Sequence, residues 1–125
     1  GFIEFKDYTI KLKNIFLSEI QRQSDDIYPN FNKINAHPGT VNLFLNGVDA
    51  DMMCMRLGDK VALSSTAACN GVDFEYSYVL KNMGLPKNIA KSSIRLCFSR
   101  QNNENEALEA ANLIIQEYKF IRENL

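Results

Sequence analysis

Two stretches of strict two-residue alternation, set among segments of helical period, constrain this chain most. Thr40-Val41-Asn42-Leu43-Phe44-Leu45-Asn46 puts Val41, Leu43 and Leu45 on one face. Ser92 to Ser99 puts Ile94, Leu96 and Phe98 on one face, with Ser93, Arg95, Cys97 and Ser99 on the other. A strand with an apolar face must bury it against a second layer, and the flanking segments supply that layer. Tyr8, Leu12, Ile15, Phe16 and Ile20, preceded by Phe5, recur at three- and four-residue spacing. This first helix should fade at Ser24-Asp25-Asp26, and Pro29 forbids its continuation. A second long helix should open at Asn103, which with Glu106 resembles a capping box, and run through Leu108, Ala111, Ile115 and Tyr118.

The middle of the chain carries shorter elements. Residues 28–39 read as polar and irregular, with a short strand about Lys33-Ile34-Asn35. Asp49 can cap a helix carrying Met52, Met53, Met55 and Leu57 that closes at Gly58. Val61-Ala62-Leu63 reads as a strand, and Asp73 caps a helix through Tyr76, Val79, Leu80 and Met83, with Gly84 and Pro86 at its end. The pattern predicts one domain over 1–125: a small sheet with helices on one face, of class α/β or α+β.

Charge and composition remove several functions. Fourteen Lys+Arg against fifteen Asp+Glu give a net charge of -1, which leaves no basic excess to neutralise nucleic-acid phosphates. No apolar run approaches the roughly 18 residues that span a bilayer. The opening Gly1-Phe2-Ile3-Glu4-Phe5-Lys6 has no basic region followed by an apolar stretch, so it is not a signal peptide. Three cysteines without a short pairing argue for a reduced, cytoplasmic domain rather than a disulfide framework. The start at Gly1, directly before an amphipathic pattern, reads as a cut inside a longer protein, although removal of an initiator Met would leave the same residue.

Chemistry has few places to reside. The loop Ser64-Ser65-Thr66-Ala67-Ala68-Cys69-Asn70-Gly71 is built of small residues around one reactive group, Cys69. Such a loop is uncrowded enough to carry a thiol to a partner, and the helix capped by Asp73 could lower the thiol pKa if the loop folds back. The plainer reading is a small apolar residue in a tight turn. Arg95 interrupts a half-apolar strand, and a guanidinium fixed on a rigid strand suits a two-pronged grip on a carboxylate. Its plainer reading is an arginine on a solvated sheet face. Cys54, among Met52, Met53 and Met55, and Cys97, on a strand, read as packing residues. His37 is the sole histidine, and the cysteines lack any metal-ligand spacing, so no metal site is expected.

Four blocks together resemble a known family. Pro38 to Leu57 (PGTVNLFLNGVDADMMCMRL), Val61 to Gly71 (VALSSTAACNG), Tyr78 to Leu85 (YVLKNMGL) and Ser92 to Arg100 (SSIRLCFSR) resemble, in order and spacing, the C-terminal small domain of cysteine desulfurases. These are class V aminotransferase-fold enzymes that use pyridoxal phosphate. The resemblance implies a mostly antiparallel sheet of three or four strands under helices, as in the C-terminal domain of fold-type I pyridoxal enzymes. It implies Cys69 as the nucleophile that takes sulfur from L-cysteine as a persulfide, releasing alanine, and Arg95 as the holder of the substrate carboxylate. The cofactor's lysine, which in the family follows a histidine in a large domain, has no counterpart, because His37 is followed by Pro38. Pyridoxal phosphate would then be bound by a large domain absent from this chain, which alone would be inactive.

The further implications are a homodimer and a sulfur-acceptor protein, for sulfur transfer such as iron–sulfur cluster assembly. The loop departs from the usual Ser-Ser-Gly-Ser-Ala-Cys-Thr: Thr66 and Ala67 precede Ala68-Cys69, and Asn70 follows. Ala-Ala-Cys also resembles selenocysteine lyases. The alternatives are therefore a selenocysteine lyase, another class V enzyme, or a stand-alone sulfur carrier or interaction domain.

Overall fold

A computed structural model of the protein describes residues 2–30, 38–58 and 86–125, and within it the helix-period and strand-period segments fold as two layers. The order is α1 (Phe2–Gln23), β1 (Ile27–Pro29), β2 (Thr40–Leu45), α2 (Ala50–Leu57), α3 (Lys87–Lys91), β3 (Ser93–Cys97) and α4 (Glu104–Asn124). The three strands form one sheet in the order β1-β2-β3 with both pairings antiparallel, which makes the fold α+β.

Ladder geometry settles which residues meet. Phe98 N–H donates to Gly39 C=O at 2.9 Å, and Leu45 N–H to Ser92 C=O at 2.7 Å. Antiparallel residues alternate between hydrogen-bonded and non-hydrogen-bonded pairs, so the intervening pairs Thr40–Cys97, Asn42–Arg95 and Phe44–Ser93 are of the second, closer kind. On the other edge Asn30 N–H donates to Asn42 C=O at 2.8 Å and Asn46 N–H to Asp26 C=O at 3.0 Å. Pro29, opposite Leu43, therefore falls at a non-hydrogen-bonded position of an edge strand, where its missing N–H costs the ladder nothing. This three-residue strand lies where an irregular segment is expected from the sequence. It is too short to display a period, and it forms because β2 would otherwise present an open edge.

The apolar face behaves as its alternation predicts. Val41, Leu43, Leu45, Ile94, Leu96 and Phe98 are all buried. They join Leu12, Phe16 and Ile20 of α1 and Ala107, Ala110, Ala111, Ile114 and Ile115 of α4 in one core. Phe16 and Phe98 meet as tilted rings 5.4 Å between centroids. The alanines of α4 let the helix lie close to its neighbours. Gly39 has the same purpose at the start of β2, since a Cβ there would come within 2.1 Å of the Phe98 carbonyl oxygen.

Helix ends follow the sequence signals. The Asp49 carboxylate accepts from Met52 N–H at 3.2 Å, and the Asn103–Glu106 box closes in both directions at 2.8 and 2.9 Å. In α2 the buried positions are Ala50, Met53 and Leu57, while Met55 points out to solvent. Arg56 clasps α4 by an ion pair to Glu117 at 2.7 Å and lies 4.1 Å over the Phe120 ring. The one-turn helix α3 after Pro86 is a further element without a sequence period. The expected strands at 33–35 and 61–63 and the helix after Asp73 lie outside the described residues, and the side chain of Phe5 lies outside the described ones.

Candidate functional site

The sheet's second face is not a solvated one. Ser93, Cys97 and Asn42 are buried there, at 0%, 7% and 7% exposure, and Arg95 is half-buried among them. The plainer reading of Arg95 as a side chain on a wet face is thereby corrected: its stem leaves β3 into a row of withdrawn polar groups. That row runs across the sheet as Asn30, Asn42 and Arg95, since Asn30 pairs with Asn42 on β2 and Asn42 with Arg95 on β3.

Most of these polar groups are satisfied. Asn30 Nδ2 donates to Ser93 Oγ at 2.9 Å, and Ser93 Oγ donates to Ile89 C=O of α3 at 2.6 Å. The hydroxyl of Thr40 lies 3.7 Å from Cys97 Sγ, which in turn lies 3.7 Å from Phe98 C=O. At the other end of the face Tyr28 and Phe44 pair as rings 5.4 Å apart. One group stands out: the side-chain carbonyl of Asn42, Oδ1, is buried and has no hydrogen-bond partner. Buried polar groups normally find partners, and an orphan carbonyl in a central strand calls for a cause.

Of the two site residues expected from the sequence, Arg95 is placed by the structure, whereas Cys69 and its loop lie outside the described residues, as does His37. Cys97 is buried and Cys54 packs half-buried against the core. Asn42 is the residue that sequence reasoning passes over. Its only signal is that asparagine is disfavoured in strands and here sits in register with the one charged residue of β3.

Among the lysines whose side chains are described, none is placed to form the imine of pyridoxal phosphate. That cofactor needs an amine held out of water to form its imine, and Lys11, Lys87, Lys91 and Lys119 are exposed while Lys13 is only half-buried. Among the described residues no group of three His, Cys, Asp or Glu side chains could hold a metal ion. No described helix is long and apolar enough to cross a membrane.

No family model matches the sequence. Curated relatives do. The cysteine desulfurase IscS of Rickettsia conorii is 34% identical over 108 residues, which are 86% of this chain and 26% of that protein. The cysteine desulfurase IscS of Buchnera aphidicola is 34% identical over 113 residues, 90% of this chain and 28% of that protein. By sequence the chain matches the C-terminal part of these cysteine desulfurases. It spans about a quarter of the length of the desulfurases it matches. Solved structures agree in fold. A NifS-like protein from Rickettsia africae superimposes over 96% of this chain and 29% of its own length, with a TM-score of 0.62 and 22% identity. A second NifS-like protein covers 92% of this chain and 28% of its own, with a TM-score of 0.69 and 17% identity. The α+β layer, with Arg95 on its polar face, therefore has the fold of part of these NifS-like proteins.

Proposed function

We propose that this chain is the C-terminal small domain of a pyridoxal phosphate-dependent cysteine desulfurase, a cytoplasmic homodimer in its intact form. The observation that carries the reading is the match at 34% identity over 86–90% of the chain to proteins named as cysteine desulfurases. In this reading the chain contributes two residues and the rest of the enzyme contributes the cofactor. Arg95, rising half-buried from a rigid strand, grips the carboxylate of L-cysteine through two parallel N–H donors. Cys69 takes the sulfur. Its thiolate bonds to the substrate sulfur, the carbon–sulfur bond of L-cysteine breaks, and the carbon end takes a proton, so that L-cysteine and a thiol become alanine and a persulfide. The persulfide then passes to an acceptor protein, for uses such as iron–sulfur cluster assembly. Pyridoxal phosphate supplies the electron sink that makes the carbon–sulfur bond breakable.

The test is made in the intact enzyme. Cys69→Ala should abolish both the persulfide and sulfide release in the presence of a reductant, while alanine and persulfide formation at full wild-type rates would remove Cys69 from the reaction. Arg95→Ala should lower kcat/KM for L-cysteine by the equivalent of about 2–4 kcal/mol. A kcat/KM equal to wild type would reject the carboxylate role.

A further inference from the structure

Asn42 Oδ1 is an acceptor that has been taken out of water and given nothing to accept from. The neighbours narrow what could satisfy it. One N–H of the Asn30 amide goes to Ser93 Oγ, and that hydroxyl's own proton goes to Ile89 C=O. Across the sheet stands Arg95, in a non-hydrogen-bonded pair with Asn42, the geometry in which two facing side chains approach most closely. Oδ1 is inaccessible to a solvent-sized molecule, so a ligand cannot reach it directly, and only a neighbouring side chain can swing onto it. A guanidinium carries five N–H donors, and a carboxylate gripped in the forked manner uses two.

Resting on the proposed role of Arg95, we infer that Asn42 is a positioning residue for the substrate carboxylate: when the carboxylate is gripped, a remaining Arg95 N–H turns onto Asn42 Oδ1 and fixes the plane of the fork. The acceptor is orphaned in the unliganded protein because its partner moves onto it only on binding. A buried carbonyl left unmet costs the unliganded protein stability, and binding the substrate recovers part of that cost. Stability without ligand and affinity for ligand are thus opposed at this one position, which no purely structural residue would show.

The intact enzyme carrying Asn42→Leu, Arg95→Lys or both tests this, with KM and kcat for L-cysteine and the unliganded melting temperature as readouts. Asn42→Leu, close in shape but without the acceptor, should raise KM about tenfold, the effect of one charge-assisted hydrogen bond, with a much smaller change in kcat. Its unliganded melting temperature should equal or exceed that of wild type. In the Arg95→Lys background the same substitution should add no further rise in KM, because the fork it orients is gone. A normal KM in Asn42→Leu beside a raised KM in Arg95→Lys would overturn the role of Asn42 and leave that of Arg95 standing. A normal KM in Arg95→Lys would overturn the carboxylate reading itself. Additive KM effects in the double variant, or a lowered melting temperature in Asn42→Leu, would reduce Asn42 to a structural residue. Should Asn42→Leu fail to fold, Asn42→Asp keeps the shape and puts a charge where it competes with the substrate for Arg95. Its KM should rise beyond tenfold, and an unchanged value would overturn the inference.

Discussion

The two faces of one three-stranded sheet solve different problems. The face under α1 and α4 is aliphatic and aromatic throughout, and its neighbours close over it in a single core. The opposite face is just as withdrawn from water at Asn42, Ser93 and Cys97, yet it is polar and carries a half-buried guanidinium and an unmet carbonyl. Burial alone therefore does not separate core from site. The distinction lies in whether the buried groups have all found partners, because unmet polar groups are expensive and persist where something else requires them.

The sharpest way to break the comparison is on the core face. Phe98 is fully buried, stacks against Phe16 and closes the end of the apolar row. Phe98→Ala should cost about 3–5 kcal/mol, the sum of lost transfer energy and the cavity left behind. Urea denaturation measures it, beside Phe44→Ala on the polar face, where the ring is only half-buried and about 1 kcal/mol is expected from loss of the Tyr28 pairing. Equal losses at the two positions would mean that both faces are core in the energetic sense.

Gly39 ranks next. A methyl group there has no room, with the Phe98 carbonyl oxygen at 2.1 Å from the position of its carbon, so β2 and β3 must part at their first pair. Gly39→Ala should cost about 1–3 kcal/mol by overpacking. Amide exchange at Phe98, whose N–H donates to Gly39 C=O, should quicken more than exchange at Leu45 at the far end of the same ladder. Uniform quickening along the ladder would show that the glycine matters to the whole fold rather than to this approach. Smaller still is the cap of α4: Asn103→Ala loses one side of a closed box and should cost about 1 kcal/mol by denaturation, with no change at Arg95. A cost near zero would mean that Glu106 alone holds the helix start.

How much of this could be read from the residues differs by face. The core face was legible because Val41, Leu43 and Leu45 and then Ile94, Leu96 and Phe98 repeat at the pleat's own period, and α1 and α4 carry long stripes with recognisable ends at Asn103 and Pro29. β1 and α3 were not, because three and five residues are too few for a repeating pattern to show, and β1 is a strand by virtue of its pairing with β2. The polar face was half legible. Arg95 announces itself by interrupting a strand, whereas Asn42 resembles any solvent-side residue until the register sets it opposite Arg95. Nothing in composition separates a wet face from a buried polar one, since that depends on what packs against it. Cys69, the most telling residue of the sequence, lies outside the described residues.

Tyr118 supplies the finest test, because it is a buried polar group of the satisfied kind. Its hydroxyl donates to Asn46 C=O, just past β2, and Arg122 Nη1 donates to the same carbonyl at 2.6 Å and to the hydroxyl at 3.1 Å. Burial raises the phenol's pKa above its usual value, with Arg122 opposing in part. A folded-state pKa above the unfolded one means that the folded protein holds this proton longer. The stability it contributes is complete below the unfolded pKa near 10 and is lost as pH rises through the folded value. Tyr118→Phe should therefore cost about 1 kcal/mol at neutral pH, from the lost hydrogen bond, and the gap to wild type should narrow above pH ~10. Denaturation curves of the two proteins at pH 7 and in steps above pH ~10 measure the difference directly, since the four other tyrosines are common to both. A gap that stays constant with pH would mean that Tyr118 loses its proton as readily folded as unfolded. The carbonyl of Asn46 would then tolerate a phenolate, and the line drawn between satisfied and unsatisfied buried groups on the two sides of this sheet would lose its clearest case.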